Sequence, residues 1–563
     1  MAVIARNPIL SGFYPDPSIC AAGEDFYLVN SSFAYFPGLP VFHSRDLAHW
    51  EQIGNVMERE SQLPLKGAKH SGGLFAPTIR YHEGTFYVIC TNVTHGGNFI
   101  VTAQNPAGPW SEPSYLEGAD GIDPSLFFDE DGRCYYIGTH PNPAGCQYDG
   151  DWYIWVQELD LAAMKLVGEV HNVWNGAMRG VHWPEGPHLY KKGEYYYILH
   201  AEGGTGPEHA VSVCRSRKIF GPYENNFCNP VFTHRHLGSA YPIQYVGHAD
   251  LVESVNGEWY MVMLAVRPLE GYTTLGRETF LAKVIWEKEW PVVNPGVGML
   301  TDTVEINLPE WVPAEKQNMP EKYYDFTGLE RLGAEFLTVR NPEKDLFVLT
   351  KEGLQLKFGQ HTLKERENSS YLALRQENHF FEVAVVLSTG NLSEKKKAGI
   401  ALMQSNEYHL RAEVSGNVAE KERVKIEVFL CRKGQDELIC CREICPAEEE
   451  ISLYLRVKGL TAEMFWENVQ SREGELLFNE LDIRSLSTEV AGGFVGCTVG
   501  MYAVEDGADH CGTAQTESST ETGDAVQGEE SAGIENSDKY ARFISFRYQE
   551  LSEVFWEREG EYR

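Results

Sequence analysis

The first half of the chain repeats one hydrophobic pattern five times. In each copy, a short motif rich in proline and polar residues is followed, usually after a turn, by an aromatic and β-branched run. Such residues favour strands, so we predict a strand in each run. The runs are residues 25–29, 84–88, 132–137, 193–198 and 257–262. Repeats of roughly 45–65 residues with several strands each are typical of a β-propeller.

The second half of the chain follows a different pattern. Residues 308–320 contain three prolines, and we interpret 309–320 as a linker. Beyond it, hydrophobic and polar residues alternate, which predicts half-buried strands. The clearest examples are residues 380–387, 408–414, 424–430, 451–457 and 540–548. We therefore predict an all-β protein with a five-bladed β-propeller at 1–308 and an antiparallel β-sandwich at 321–563.

One segment of the predicted sandwich has an unusual composition. Residues 505–538 contain ten acidic residues, no Lys or Arg, and many Ser, Thr and Gly. Such a segment buries too little apolar surface to offset the entropy lost on ordering. We predict a solvated, flexible insertion between the last two strands.

Length and charge restrict the class of protein. A chain of 563 residues is too long for one hydrophobic core, so two or three domains are expected. The formal net charge of −33 disfavours binding to nucleic acid or anionic membranes. We find no apolar run of about 18 residues for a membrane span, and no basic-then-apolar leader at the start. We therefore expect a cytoplasmic protein, and its oligomeric state is left open.

The repeats also align a set of chemically active residues. The motif position is occupied in turn by Asp16, Ala76, Asp123, Glu185 and His248. If the repeats superpose, these residues face one another around a central axis. An isolated Asp-Pro is usually a turn, but three carboxyls at one repeat position favour an acid–base site.

Cleavage of a glycosidic bond requires an acid at the leaving oxygen and a base or nucleophile on the other sugar face. Asp16 and Glu185 belong to the first and fourth repeats, so we expect them across the axis. A negative charge on Asp123, in the adjacent repeat, would keep Glu185 protonated. We predict Asp16 as base, Glu185 as acid and Asp123 as modulator. His248 is interpreted as a hydrogen-bonded axial residue, with substrate contact or a metal ligand as alternatives.

These motifs resemble glycoside hydrolase family 43. The match rests on residues 14–18 (YPDPS), 123–125 (DPS) and 185–188 (EGPH) in that order. Further stretches are similar to its β-xylosidase branch, which has a C-terminal β-sandwich. They include residues 30–33 (NSSF), 202–205 (EGGT) and 275–280 (LGRETF). The resemblance spans nearly the whole chain and implies a five-bladed propeller, inversion at the anomeric carbon and no required cofactor, with calcium near His248 left open.

The resemblance also implies residue roles. It assigns the same roles to Asp16, Asp123 and Glu185, and it implies that Arg277 binds sugar hydroxyls and helps tune Asp123. The residues implied to line the first sugar subsite are Phe33, Ala76, Thr205 and His248, with Phe494 as the candidate aromatic from the sandwich. A surface ion pair is the alternative for Arg277, and ordinary core packing is the alternative for Phe33 and Phe494.

The chain departs from the branch at two positions bordering the predicted pocket. Phe75 replaces the usual Trp, and Pro184 replaces a common Thr. We count Phe75 among the predicted substrate-binding residues, and these departures bear on substrate preference.

The combined prediction is an exo-acting β-xylosidase. It would release xylose from the non-reducing ends of short xylo-oligosaccharides, with side activity on α-L-arabinofuranosides. The alternatives are an arabinofuranosidase, an endo-arabinanase and a non-catalytic carbohydrate-binding propeller. A retaining fructosidase is disfavoured because no Asn-Asp-Pro-Asn-like motif lies near the start.

Overall fold

A computed structural model describes residues 2–314, 319–416, 423–506 and 537–552. The strands of the first half are, in chain order, β1 (Val3–Arg6), β2 (Ser18–Ala22), β3 (Asp25–Val29), β4 (Tyr35–Phe36), β5 (Gly38–Ser44), β6 (Glu51–Met57), β7 (Thr78–His82), β8 (Thr85–Asn92), β9 (Gly97–Ala103), β10 (Ser114–Tyr115), β11 (Ile122–Phe128), β12 (Cys134–Pro141), β13 (Trp152–Asp160), β14 (Lys165–Trp174), β15 (Glu185–Lys192), β16 (Tyr195–Glu202), β17 (Ala210–Ser216), β18 (Glu224–Asn225), β19 (Gln244–Glu253), β20 (Trp259–Val266), β21 (Glu278–Glu287), β22 (Trp290–Val293) and β23 (Thr303–Ile306).

The strands of the second half continue this series. They are β24 (Glu321–Asp325), β25 (Thr338–Val339), β26 (Phe347–Thr350), β27 (Gly353–Lys357), β28 (Tyr371–Arg375), β29 (Phe380–Ser388), β30 (Lys396–Ser405), β31 (Tyr408–Gly416), β32 (Val424–Arg432), β33 (Gln435–Ile444), β34 (Glu450–Lys458), β35 (Thr461–Asn468), β36 (Gly474–Asp482), β37 (Thr498–Glu505) and β38 (Tyr540–Glu550). Among the described residues, helix is confined to the short turns Arg484–Leu486, Thr488–Ala491 and Ser537–Lys539. The all-β prediction is confirmed.

The first half forms five four-stranded antiparallel sheets. In chain order, sheet 1 contains β2, β3, β5 and β6, sheet 2 β7–β10, sheet 3 β11–β14, sheet 4 β15–β18 and sheet 5 β19–β22. Each of the five predicted strands is confirmed as the second strand of its sheet. The first strands contact one another in the order β2, β7, β11, β15 and β19, and β19 also contacts β2.

Each neighbouring pair of these sheets shares a buried hydrophobic cluster. Representative members are Val41 and Val88 between sheets 1 and 2, Ile100 and Tyr136 between 2 and 3, Val156 and Ile198 between 3 and 4, Val213 and Met261 between 4 and 5, and Val262 and Phe42 between 5 and 1. A sheet covered on both faces requires continuous apolar strands. The strand β20 meets this requirement, because all eight of its residues are buried.

The second half forms two antiparallel sheets on one shared core. A six-stranded sheet contains β28 and β30–β33 with β37, and an eight-stranded sheet contains β24, β26, β27, β29, β34–β36 and β38. Val385 and Phe546 of the larger sheet share a cluster with Ile400 and Leu410 of the smaller one. The predicted strands at 380–387, 408–414, 424–430, 451–457 and 540–548 are confirmed.

Two predicted segments lie partly beyond what is described. Most of the acidic 505–538 insertion, residues 507–536, lies outside the described residues, and so do residues 315–318 of the predicted linker. Over the described ranges, no helix is long and apolar enough to cross a membrane.

The two halves meet in a common hydrophobic cluster. Phe33 and Tyr35 from the first half share it with Tyr371 and Val495 from the second. A short antiparallel pairing of β4 with β25 joins the halves further. The residues around Phe33 are therefore positioned by both halves of the chain.

Candidate active site

The five aligned motif residues lie near the starts of neighbouring first strands. Asp16 and Ala76 precede β2 and β7 by two residues, Asp123 is the second residue of β11, and Glu185 begins β15. His248 lies within β19. Because these strands contact one another in sequence, residues from the whole first half come together.

An uncommon backbone conformation accompanies these residues. Asp16, Asp123 and His248 have φ of 52°, 53° and 46°, in the left-handed region where Asp and His are enriched among non-glycine residues. The strand register shifts beside Asp123, Glu185 and His248, as in a β-bulge. A bulge bends the strand and redirects a side chain, so these positions are aimed by local backbone geometry.

Buried threonines hold the backbone beside each carboxyl residue. In each case a threonine hydroxyl donates to a carbonyl within two residues of the carboxyl. The pairs are Thr279 with Tyr14 at 2.6 Å, Thr78 with Pro124 at 2.9 Å and Thr139 with Pro184 at 2.6 Å. These bonds join separate strands and limit movement of the site.

Asp16 is held as an anion. Its Oδ1 accepts a hydrogen bond of 2.7 Å from Arg277 Nη1, and its Oδ2 accepts one of 2.6 Å from the Ser31 hydroxyl. Burial alone would raise the pKa of Asp16, but Arg277, His248 and Ser31 together hold that pKa below its usual value. The residue is therefore ionised at neutral pH.

The pKa values of Glu185 and Asp123 are raised, in contrast to that of Asp16. Burial, together with the negative charges of Asp123 and Asp16, raises the pKa of Glu185 well above its usual range. Burial, with a contribution from Asp16, also raises the pKa of Asp123 to about 6. The Gly186 N–H donates to Asp123 Oδ2 at 3.1 Å, which connects Asp123 to the residue after Glu185. The site can present an ionised carboxylate and a protonated carboxyl at the same time.

His248 packs over the backbone next to Glu185. A Cβ on Gly186, whose φ is 55°, would lie 2.8 Å from Cε1 of the His248 ring, so glycine is required there. His248 Nδ1 lies 3.9 Å from Asp16 Oδ1. That distance is too long for a direct hydrogen bond.

Asp16, a carboxylate close to His248, is a poor ligand for calcium. Calcium takes six to eight oxygen ligands. Both oxygens of the nearby Asp16 already accept hydrogen bonds, from Arg277 and Ser31, and the guanidinium would repel a second cation. Asp16 is therefore occupied by its protein partners and is not available to hold the ion.

A second group of potential metal ligands lies far along the chain. Among the described residues, His409, Cys431 and Asp436 are close enough to share an ion. Asp436, however, accepts a hydrogen bond of 2.7 Å from Arg411 and lies 2.8 Å from Lys364 Nζ. The carboxylate charge is already balanced by two cations.

Aromatic residues and Arg277 form one wall beside Asp16. The Phe494 ring lies 6.2 Å from Phe33 and 6.0 Å from Phe75, measured between centroids. The Arg277 guanidinium carbon lies 5.6 Å from the Phe33 ring and 5.4 Å from that of Phe494. Thr205 Oγ1 is 3.4 Å from Arg277 Nη1. The structure thus brings together most of the predicted sugar-contacting residues.

Burial resolves the alternatives for these residues. Arg277 is 7% exposed, which excludes a surface ion pair. Phe33 is 1% exposed and belongs to the cluster between the halves, so it is also a core residue. Phe494 is 42% exposed and is not an ordinary core residue. Ala76 is buried at its repeat position.

Sequence reasoning missed a buried polar network behind the site. Asp250 accepts hydrogen bonds from Ser18 at 2.6 Å, Arg80 at 2.7 Å and Tyr190 at 2.6 Å. Arg80 also contacts Ser125 and His188. These residues come from all five sheets. Ser18, Ser125 and Asp250 each lie two residues after an aligned motif position. Residues two apart on a strand point to the same face, so this spacing could have indicated a second polar layer beside the carboxyls.

His209 is a second residue that the sequence did not indicate. It is 1% exposed, its Nδ1 donates to the Tyr245 carbonyl at 2.8 Å, and burial lowers its pKa to about 3. A Cβ on Gly247 would lie 2.4 Å from this ring. The neutral imidazole therefore supports the backbone immediately before His248.

A cleft of about 510 Å³ lies elsewhere. It lies at the junction of the two halves. Its lining includes Arg6, His49, Arg267 and Glu377 and none of the three carboxyl residues. The candidate site is therefore identified by its carboxyls.

Sequence comparison agrees with the division seen in the fold. Residues 5–291 match the family described as Glycosyl hydrolases family 43. Residues 324–517 match the Beta xylosidase C-terminal Concanavalin A-like domain. All the aligned carboxyl residues lie in the first match, and Phe494 lies in the second.

Relatives extend over nearly the whole chain. A Xylosidase/arabinosidase of Butyrivibrio fibrisolvens is 52% identical, over 90% of this chain and 96% of its own length. A Non-reducing end alpha-L-arabinofuranosidase of Bacteroides ovatus is 37% identical, over 89% and 92%. The solved structure of a xylan beta-1,4-xylosidase from Bacillus halodurans, at 34% identity, covers 97% of this chain and 100% of its own with a TM-score of 0.83. The chain belongs to glycosyl hydrolase family 43, and it is a glycoside hydrolase.

Proposed function

We propose that the protein is an inverting, exo-acting β-xylosidase with side activity on α-L-arabinofuranosides. The observation that carries the proposal is the opposed ionisation of two carboxyls in one site. Asp16 is held ionised beside Arg277, whereas the pKa of Glu185 is raised by burial and by Asp123. An inverting glycosidase needs one carboxylate and one carboxylic acid at once.

In this mechanism a single displacement breaks the glycosidic bond. Asp16 takes a proton from a water molecule while the water oxygen bonds to the anomeric carbon. Glu185 gives its proton to the departing oxygen as the carbon–oxygen bond breaks. Exchange with solvent then removes the proton from Asp16 and restores the one on Glu185. Asp123 contributes by raising the pKa of Glu185.

We also propose that the five sheets are the blades of one closed propeller. The cyclic contacts of the first strands support this, as does the hydrophobic cluster shared by sheets 5 and 1. In such a ring, Asp16 and Glu185 lie across the axis. We expect their carboxyls to be about 6.5–9.5 Å apart, which leaves room for the attacking water.

The proposed substrate is a short xylo-oligosaccharide, bound through its non-reducing end. The aromatic wall of Phe33, Phe75 and Phe494 offers apolar surface for a pentose ring, and Arg277 and Thr205 offer polar contacts for hydroxyls. The relative at 52% identity is named for both xylosidase and arabinosidase activity, which supports the dual specificity. A cytoplasmic location, where imported oligomers would be cleaved, stays a prediction.

An arabinofuranosidase as the main activity is the second candidate. It is favoured by the relative named a Non-reducing end alpha-L-arabinofuranosidase, at 37% identity over most of both chains. Phe75 stands where the branch usually has Trp. The smaller ring changes the shape of the aromatic wall, and this wall would contact both xylose and arabinose.

Two chromogenic substrates separate these candidates. The purified protein is assayed on nitrophenyl β-xyloside and nitrophenyl α-L-arabinofuranoside, with and without a chelator. We expect a higher kcat/KM on the xyloside and no effect of the chelator. A preference for the arabinofuranoside would favour the second candidate, and no turnover of either would reject both.

A further inference from the structure

Phe494 reaches the carboxyl site on a loop from the second half of the chain. It lies just before β37, and its ring contacts the Phe33 and Phe75 rings of the first half. The side chain remains 42% exposed. Since no core encloses the ring, its position depends on what holds the loop backbone.

Two side chains hold that backbone at either end of a short turn. The Phe494 N–H donates to Ser71 Oγ at 2.9 Å, and Ser71 belongs to the first half. Gln404 Nε2, from β30 in the second half, donates to the Gly492 carbonyl at 2.9 Å. Gln404 is 1% exposed, so its side chain is held in place by the surrounding residues.

The contact with Ser71 requires glycine next to Phe494. Gly493 has φ of 83°, a conformation that side chains rarely adopt, and a Cβ there would lie 2.4 Å from Ser71 Oγ. The loop backbone therefore approaches Ser71 closely, and a residue with a side chain at position 493 would prevent this approach.

The base of the same loop is bound to the segment that carries Arg277. The Cys497 N–H donates to the Thr274 carbonyl at 2.9 Å. A Cβ on Gly276 would lie 2.6 Å from the Gly496 nitrogen, so the two backbones are in direct contact. Arg277 Nη2 also lies 3.3 Å from the Phe494 carbonyl. These contacts fix the base of the loop and the Phe494 carbonyl, so the remaining restraints on Phe494 are those at the tip.

A cavity lies behind the tip. Its volume is about 150 Å³, and its lining includes His70, Ser71, Gln404, Gly492 and Gly493. Empty space offers no packing to resist displacement. The bond from the Phe494 N–H to Ser71 and the bond from Gln404 to the Gly492 carbonyl therefore add to the Arg277 contact in keeping the tip away from this cavity.

We propose that Ser71 and Gln404 are positioning residues, which fix Phe494 over the glycone, the sugar at the non-reducing end. They act on the affinity for that sugar and not on its protonation chemistry. This inference rests on the proposed glycosidase function, because it requires a sugar against the Phe494 ring.

The test is a double-mutant cycle between Ser71 and Phe494. Ser71→Ala should raise KM for nitrophenyl β-xyloside about 3- to 10-fold, as expected for the loss of one hydrogen bond. The value of kcat and both limbs of the pH profile should be unchanged. Phe494→Ala should raise KM further, and Ser71→Ala should add nothing in that background. Gln404→Ala should behave like Ser71→Ala.

Controls separate positioning from a loss of folding. Ser61→Ala removes an exposed hydroxyl from the same connection between β6 and β7, and it should leave KM unchanged. Binding of xylose, measured by calorimetry, should weaken in Ser71→Ala by the same factor as KM rises. Thermal unfolding identifies any variant that is not folded.

Two results would overturn the inference. One is an unchanged KM in Ser71→Ala, and the other is an equal KM increase with and without the Phe494 ring. If the wild-type protein hydrolyses the xyloside and either result is found, only the positioning role is wrong. If the wild-type protein neither hydrolyses the xyloside nor binds xylose, the proposed function and the positioning role are both wrong.

Discussion

Arg277 Nη1 donates a 2.7 Å hydrogen bond to Asp16 Oδ1, although the two residues are 261 positions apart in the chain. Both side chains are buried, with 9% and 7% of their side-chain surface exposed. A charged pair in such surroundings is little screened by solvent. The bond therefore sets both the orientation of Asp16 and its charge.

Replacement of Arg277 should change the acidic side of the pH profile. Because Arg277 lowers the pKa of Asp16, Arg277→Ala should raise that pKa. The acidic limb of kcat/KM, which reports deprotonation of the base in the free enzyme, should move to higher pH. The maximal kcat/KM should fall about 10- to 100-fold. Arg277→Lys should move the limb less, and an unmoved limb in both variants would reject Asp16 as the base.

Replacement of Glu185 should lower the rate of hydrolysis most for substrates with poor leaving groups. Glu185→Ala removes the proton donor, so kcat on xylobiose should fall by about 10²- to 10⁴-fold. A dinitrophenyl β-xyloside needs little protonation, and its kcat should fall far less. Glu194→Ala, an exposed glutamate in the turn between β15 and β16, is the matched control. Equal losses on both substrates would contradict the assignment of Glu185 as the acid.

Removal of the Asp123 charge should change the alkaline limb of the pH profile. The negative charge of Asp123 raises the pKa of Glu185, so Asp123→Asn should lower it. Glu185 would then lose its proton earlier, and the alkaline limb of kcat/KM should move to lower pH. Asp131→Asn, in the exposed turn after β11, should leave the limb in place. A shift to higher pH would mean that Asp123 has a different role.

The stereochemistry of the first product tests the single displacement directly. Proton NMR of a fresh reaction on a β-xyloside should show α-xylose before mutarotation. Initial β-xylose would indicate a retaining mechanism, in which Asp16 would be a nucleophile and not a base.

The buried network around Asp250 should contribute to stability. Asp250→Asn leaves Arg80 buried without its anion, which typically costs about 3–5 kcal/mol. Urea unfolding at pH 7 should show this loss. Glu24→Gln, which breaks the exposed pair with Arg45, should cost less than about 1 kcal/mol. Equal losses of stability in the two variants would mean that the buried network stabilises the fold no more than a surface ion pair does.

The repeat pattern was a strong predictor because its period reflects one physical unit. Each predicted strand at 25–29, 84–88, 132–137, 193–198 and 257–262 became the second strand of a sheet. The same alignment brought Asp16, Asp123 and Glu185 into one electrostatic environment. A repeated motif places its residues at equivalent points of equivalent sheets, so no knowledge of long-range contacts was needed.

Contacts between unlike segments were not predictable in this way. Arg80 and Asp250 are 170 residues apart, and Ser71 and Phe494 are 423 apart. Ser71 and Phe494 belong to no repeated pattern, and although Asp250 lies at a repeated position, the repeat does not indicate Arg80 as its partner. The partners of Asp16 are likewise distant in the chain or outside the repeated motif, because Arg277 and Ser31 bind its two carboxylate oxygens.

The amino-acid sequence by itself determined the all-β class, the repeated strands and which residues carry the carboxyl groups, because these follow from local composition and period. Only the tertiary structure decided the ionisation of those groups and the wall that faces them. Burial and the charges of distant residues control each pKa, and a loop from the other half of the chain supplies Phe494. Such properties arise only when segments hundreds of residues apart are packed together.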